Sequence, residues 1–389
     1  MNRPDLLARL AHSQAERAEA GLLRRLRSVE QVQGPHIVVG GRRLLSFASN
    51  DYLGLAQHPR LVEALCTAAQ RWGVGATAAH LLGGHRAEHE ELEVALAAWT
   101  GRERALLFSS GYAANLGVLG ALLRDGDLCV QDKLNHASLI DASRLSGATL
   151  KRYVHNDVDS AQRQLQTLPE QAALLASDGV FSMDGDIAPL RELATLCRAH
   201  GALLQIDDAH GLGVLGPEGA GSVAEAGLDQ TDVPVLMATL GKALGVAGAF
   251  VAGSASLIDG LVQFARAHIY TTAMPPALAA ATRVALDIAR FEPWRRERLQ
   301  ALIRHLRHGA ECRGLQLLPS RTAIQPLLVG DSTAALRLAQ ALEAQGYYVP
   351  AIRPPTVAAG KARLRIALSA LHTEAMVEGL LDSLAAVRA

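Results

Sequence analysis

Cysteine, lysine and aromatic residues are scarce in this 389-residue chain, and net charge is missing altogether. The four cysteines (Cys66, Cys129, Cys197 and Cys312) are far apart and form no C-x-x-C, which argues against a disulfide framework or zinc knuckle. They read as small core residues in a reducing compartment. Lys+Arg and Asp+Glu both number 38, so no cationic surplus draws phosphate backbones or anionic lipid, and neither nucleic acid nor membrane is an expected partner. No uncharged apolar run reaches bilayer length, and the first residues lack the apolar stretch of a secretory signal. A cytoplasmic protein is expected. Buried-type material is abundant: 49% of residues are hydrophobic and 35 are glycine, enough for two or three domains with a large core.

Residues 4–27 space Leu6, Leu7, Leu10, Leu22, Leu23 and Leu26 among Arg and Glu, the pattern of an amphipathic helix lying over another surface. With a short β segment over Pro35–Phe47 it makes up an expected N-terminal portion, residues 1–48. Over 49–276, apolar runs (Arg104–Ser109, Asp127–Gln131, Ala172–Ser177, Ala202–Ile206, Pro234–Ala238 and Ala249–Ala252) are interleaved with helical stretches such as Tyr112–Leu123, Ala137–Ser146 and Leu190–His200. That alternation predicts a large α/β domain around a mostly parallel sheet. After Met274-Pro275-Pro276 a helical region over Ala277–Ala310, interrupted near Pro293, leads to strands Ile324–Val329, Tyr348–Ile352 and Ala362–Leu368 and a last helix. This predicts a smaller α+β domain over 277–389.

Lysine usage singles out one side chain. Lys133, Lys151 and Lys361 each lie beside other charged residues and read as solvated, whereas Lys242 is the only charge in Val235–Phe250. Such a lysine either snorkels out from a loop or stays in an apolar turn, where desolvation favours the neutral, nucleophilic amine. A second feature, Leu203-Leu204-Gln205-Ile206-Asp207-Asp208-Ala209-His210-Gly211, is an apolar strand ending in two carboxylates and a histidine. In open α/β sheets that end of a strand meets ligands; the alternative is a pair of capping carboxylates beside a core histidine. The third, Leu106–Asn115, turns from strand to helix through Ser109-Ser110-Gly111, as a plain βα loop or as a phosphate-binding helix start. A nucleophilic amine, a strand-end carboxylate and free helix amides together match what pyridoxal 5'-phosphate requires for its aldehyde, ring nitrogen and phosphate.

Five ordered motifs then resemble the α-oxoamine synthases: Asn50–Gly54, Ser109–Asn115, Val180–Asp186, Asp207–Gly211 and Thr239–Lys242. The resemblance implies an aspartate aminotransferase-like fold of type I, a homodimer with active sites at the interface, and condensation of an amino acid with an acyl thioester, with loss of carbon dioxide. It implies that Lys242 carries the cofactor as a Schiff base and that Asp207 pairs with the ring nitrogen. His210 and Ser182 would address the phenolic oxygen, and His136 would stack on the ring. Thr239 and the amides of Gly111 and Tyr112 would hold the phosphate, with Thr271 and Thr272 reaching it across the interface. Arg353 is implied for the amino-acid carboxylate, with Asn50 and Thr356 near the substrate. Arg24 is implied for the acyl donor, although Arg25 and Arg27 are equally close in sequence. Ala351–Val357 and the Asp-Asp-Ala-His-Gly form look like the branch that uses L-alanine and a pimeloyl thioester carried on coenzyme A or acyl carrier protein. A branch joining glycine to an acetyl group is the alternative.

Two other motifs compete. His85, Glu88 and His89 fit H-x-x-E-H, the pattern of an inverted zinc protease, with no third ligand visible; no metal is expected. Gly211–Gly216 fits G-x-G-x-x-G, yet Pro217-Glu218-Gly219 follows, which cannot readily continue the helix a dinucleotide site must open.

Overall fold

Seven strands build the central sheet, in the spatial order Arg104–Phe108, Ala249–Gly253, Val235–Thr239, Leu203–Asp207, Ala173–Asp178, Leu128–Asp132 and Thr149–Tyr153. All pairings are parallel except those of Ala249–Gly253, which runs antiparallel to both neighbours. The computed structural model describes residues 3–388, without the Arg388 side chain; Met1, Asn2 and Ala389, the tips of the expected first and last portions, lie outside the described residues.

The strands are near-continuous apolar runs because both faces of the sheet are covered. Successive side chains alternate between two cores. Cys129, Leu174, Ala176, Val235 and Met237 pack with Ala114, Val118 and Leu119 of helix Gly111–Leu122 and with Leu139 and Ala142 of helix Ala137–Ser146. Leu128, Val130, Leu175, Leu204, Ile206 and Leu236 pack on the other face against Ala161 and Leu165 and against Leu193 and Cys197. The expected strands are present with ends moved by a residue or so. That small shift makes Asp178, Asp207 and Thr239 the last residues of their strands.

The chain divides into two units, Asn50–Ala301 and a second formed by Met1–Ser49 with Leu302–Ala389. These limits differ from 1–48, 49–276 and 277–389 in two ways. The N-terminal portion joins the C-terminal one, and helix Pro276–Phe291 belongs with the larger unit, where it packs on helices Pro59–Trp72 and Ala87–Thr100. In the smaller unit Gln31–Gln33, His36–Val39, Arg42–Ser46 and Tyr347–Tyr348 form one sheet, and Ile324–Gly330, Ala362–Ala367 and Ala351–Ile352 another. The single strand expected over Tyr348–Ile352 is thus split between two sheets.

The first helix is shorter than expected, Leu6–Glu19. Asp5 caps it, and the chain leaves the helix at Gly21, whose φ of 66° suits only glycine well. None of its residues is buried, and Leu6, Leu7 and Leu10 of the expected packing face are exposed. Cys129 and Cys197 are buried, but Cys66 and Cys312 are exposed, which corrects the core reading for those two.

Candidate active site

Parallel strands end at one edge of the sheet, where Asp178 and Asp207, the last residues of their strands, lie in register, and Asp207 pairs with Met237 near the end of the next strand. Around this edge lies a cavity of about 170 Å³ lined by Gly111, Tyr112, His136, Ser182, Asp207, His210, Thr239 and Lys242, with Ser138, Asp178, Val180, Ala209 and Met237. Eight residues singled out in the sequence are therefore brought to one cavity from five connections of the sheet.

Asp207 is buried and its carboxylate is aimed on both sides. Asn115 Nδ2 donates to Oδ2 at 2.9 Å and the Ala209 amide to Oδ1 at 3.1 Å. Asn115 is itself fixed by Gln205 Nε2, which donates to its Oδ1 at 2.9 Å. Lys242 is half-buried in the turn that joins Val235–Thr239 to Ala249–Gly253, and its Nζ lies 2.9 Å from His210 Nε2. The other nitrogen, Nδ1, is 2.7 Å from the Tyr52 hydroxyl, which donates to Asn50 Oδ1 at 3.1 Å. Asn50 thus joins the site through Tyr52 and His210.

The helix starting at Gly111 is capped by Ser110, whose Oγ accepts from the Ala113 amide at 3.1 Å. The Thr239 hydroxyl bonds the Gly248 carbonyl at 3.0 Å and accepts from the Gly241 amide at 3.3 Å. His136 caps the next helix. Its Nδ1 is 2.7 Å from Ser138 Oγ, and its backbone amide donates to Asp178 Oδ1 at 3.2 Å. Asp178 is held well above the ordinary carboxylate range, first by burial and then by Asp207. Its neighbour in sequence to Asp207, Asp208, is pushed up to about 7 by burial, against the bonds it accepts from the Ser222 amide and hydroxyl, both 2.7 Å.

Thr271 and Thr272 do not line this cavity; Thr272 pairs with Ala79 instead. In the smaller unit Arg24, Arg353 and Thr356 come together. Arg24 Nη2 donates to Thr356 Oγ1 at 3.4 Å, and Arg353 bonds the Gly21 carbonyl. Arg27 is engaged elsewhere, bidentate on Glu343 at 2.6 and 2.9 Å.

The two histidines of the zinc-protease pattern, His85 and His89, come together with a third, His80, their ligand atoms all within 4.8 Å of one another, but Glu88 is not part of that group. His89 accepts from the Arg86 amide through Nδ1 and donates to the Met274 carbonyl through Nε2, so both ring nitrogens are used, and Glu88 faces Arg71 at 3.6 Å. Gly211–Gly216 runs into the 3₁₀ turn Pro217–Gly219 rather than a helix, which removes the dinucleotide reading.

Asn115, Ser138, Tyr52 and Asp178 were not singled out from sequence. Asp178 follows from the strand-end rule that drew attention to Asp207. Tyr52 and Asn115 lie inside the recognised motifs, but their partners are 158 and 92 residues away.

An amine, an aimed carboxylate, open helix amides and a cavity this size suit pyridoxal phosphate, and the doubly covered, mostly parallel sheet completes a fold type I pyridoxal-phosphate-dependent transferase. Residues 42–384 match the family model for class I and II aminotransferases, and the chain belongs to that family. It is 57% identical to 8-amino-7-oxononanoate synthase from Pseudomonas putida, over 98% of this chain and 96% of that protein. Among solved structures it resembles a lysine-to-alanine variant of serine palmitoyltransferase from S. paucimobilis with a bound PLP–myriocin aldimine, at 30% identity and TM-score 0.93 over 98% of each chain. It also resembles 8-amino-7-oxononanoate synthase from Francisella tularensis, at 30% identity and TM-score 0.78 over 89% of this chain and 98% of that one.

Proposed function

We propose that the chain condenses L-alanine with a pimeloyl thioester to give 8-amino-7-oxononanoate, carbon dioxide and free thiol, a step of biotin biosynthesis. The observation that carries the reading is Lys242 Nζ beside His210, in one cavity with the strand-end carboxylate of Asp207. Pyridoxal phosphate supplies an electron sink for negative charge at the amino-acid Cα.

The remaining work falls to the protein. Lys242 Nζ is the attachment point for the cofactor aldehyde and the base that holds and returns the proton at the substrate Cα. His210 Nε2, 2.9 Å away, steadies that amine, and with Ser182 it would address the phenolic oxygen. Asp207, aimed by Asn115 and Ala209, keeps a negative charge for the ring nitrogen. The Gly111 and Tyr112 amides and the Thr239 hydroxyl would receive the phosphate at a helix start. His136 would cover the ring face. Arg353 takes the alanine carboxylate, Arg24 the acyl donor, and Asn50 and Thr356 serve the substrate. In a homodimer Thr271 and Thr272 serve the partner's phosphate.

No described helix is long and apolar enough to cross a membrane, which is compatible with a cytoplasmic enzyme. Purified protein should absorb as a yellow species that borohydride bleaches, with the adduct on Lys242. Assays of alanine, glycine and serine against pimeloyl-coenzyme A, pimeloyl-acyl carrier protein and acetyl-coenzyme A should favour alanine with a pimeloyl donor. Best turnover of glycine with acetyl-coenzyme A would instead mark a glycine C-acetyltransferase.

A further inference from the structure

His155 belongs to none of the motifs above and does not line the cavity. It sits just after the edge strand Thr149–Tyr153, and its ring is gripped on both sides: Nδ1 is 3.0 Å from Asp132 Oδ1 and Nε2 is 2.7 Å from Asp186 Oδ2. A carboxylate oxygen only accepts, so both nitrogens must donate and the ring is an imidazolium. Burial opposes that charge, but the two carboxylates outweigh it and push the histidine up to about 10. Phe181 meets the ring edge to face, with centroids 4.4 Å apart. Asn156 doubles the tie: its amide donates to Asp132 Oδ2 and its side chain to Asp186 Oδ2, each at 2.9 Å.

Each carboxylate roots a loop of the site. Asp132 ends its strand and accepts from the Leu134 amide at 2.7 Å, which holds the start of Lys133–His136. Asp186 closes Val180–Asp186, the loop that carries Ser182, and its carbonyl accepts from the Phe181 amide at 3.0 Å. We propose that His155 is a positioning residue for the cofactor: by bonding Asp132 and Asp186 together it sets the separation of the loops that bring His136 and Ser182 to the cavity. The proposal rests on the cavity binding pyridoxal phosphate, which the absorbance of wild-type protein scores separately.

The test combines variants with wild-type measurements. Pyridoxal phosphate affinity of the apoprotein is titrated for His155→Gln, Asp186→Asn and the double variant. A loop misplaced from a distance weakens function by as much as 100-fold, and we expect roughly tenfold or more weaker binding in each single variant. The double variant should bind no worse than Asp186→Asn, because Asp186 anchors the bonds of both His155 and Asn156. A lower melting temperature with unchanged affinity would mean a purely structural role and overturn the proposal. Should the variants not fold, nitrogen-15 spectra of wild-type protein decide. Both His155 nitrogens should be protonated at pH 8, and by linkage the cofactor should slow exchange of those N–H groups. A neutral His155, or exchange indifferent to cofactor, overturns it.

Discussion

Asp207 and Asp208 are adjacent, both buried, and do different jobs. Asp207 is aimed by Asn115 and Ala209 toward the cavity, whereas Asp208 turns to Ser222. Asp207→Asn should keep some cofactor binding but lower kcat by about 100-fold or more, the size expected when a charge that stabilises the transition state is removed; a steady-state assay at saturating substrates checks this. Asp208 links stability to pH. Its folded value of about 7 lies above the unfolded one of about 3.9, so the native state binds the proton more tightly. That stabilisation is complete below the unfolded value and fades as pH rises to about 7. Asp208→Asn, which can accept from the Ser222 amide and donate to its hydroxyl, removes this slope. Its stability relative to wild type should therefore improve between pH 4 and 8 in denaturant titrations, and a flat difference would refute the assignment. The two aspartates look alike in the sequence, because their roles come from partners 92 and 14 residues away.

At the scale of elements, most of the large unit was legible. Buried strands announce themselves as apolar runs, and helices Ala137–Ser146 and Leu190–His200 start and stop where their sequence pattern does. Local patterns failed where tertiary partners decide. Tyr347–Tyr348 pairs in parallel with Leu45–Ser46, while Ala351–Ile352 pairs with Arg363–Leu364, and nothing between Tyr348 and Ile352 signals the change of sheet. The helix start at Gly111 gives a test at this scale. Ser110→Ala removes the cap on Ala113 and should cost about 1 kcal/mol in stability, read by denaturant unfolding. If, as proposed, the same first turn offers its amides to the phosphate, the substitution should also weaken cofactor binding.

For the molecule as a whole, the expectation concerns a second copy of the chain. Leu81 and Leu82 are exposed at 55% and 80% and Tyr270 at 72%, on the segments joined by the Ala79–Thr272 bridge. Exposed apolar side chains grouped in this way suit a subunit interface. Sedimentation at micromolar concentration should give a dimer, and Leu82→Asp with Tyr270→Ser should shift it to monomer. If Thr271 and Thr272 act on the partner's phosphate, that monomer should also bind cofactor more weakly. The smaller unit was the less legible one because it is assembled from the two ends of the chain.

The turn that carries Lys242 joins two adjacent antiparallel strands and is laced internally: the Leu240 amide donates to Gly248, Val246 to Leu240, and Gly245 to Lys242, at 2.9 to 3.0 Å. Gly245 has φ 68°, and a Cβ there would come within 2.4 Å of the Ala56 amide nitrogen. An inserted residue has no slack loop to enter, and a slip by one place would turn Phe250 and Ala252 over to the opposite face of the sheet. The spacing between Thr239 and Ala249 therefore works as a ruler for the Lys242 amine, whose role as the cofactor's attachment point is proposed above. Changes of acyl preference should be easier to reach by varying the second unit than by altering the length of this one connection.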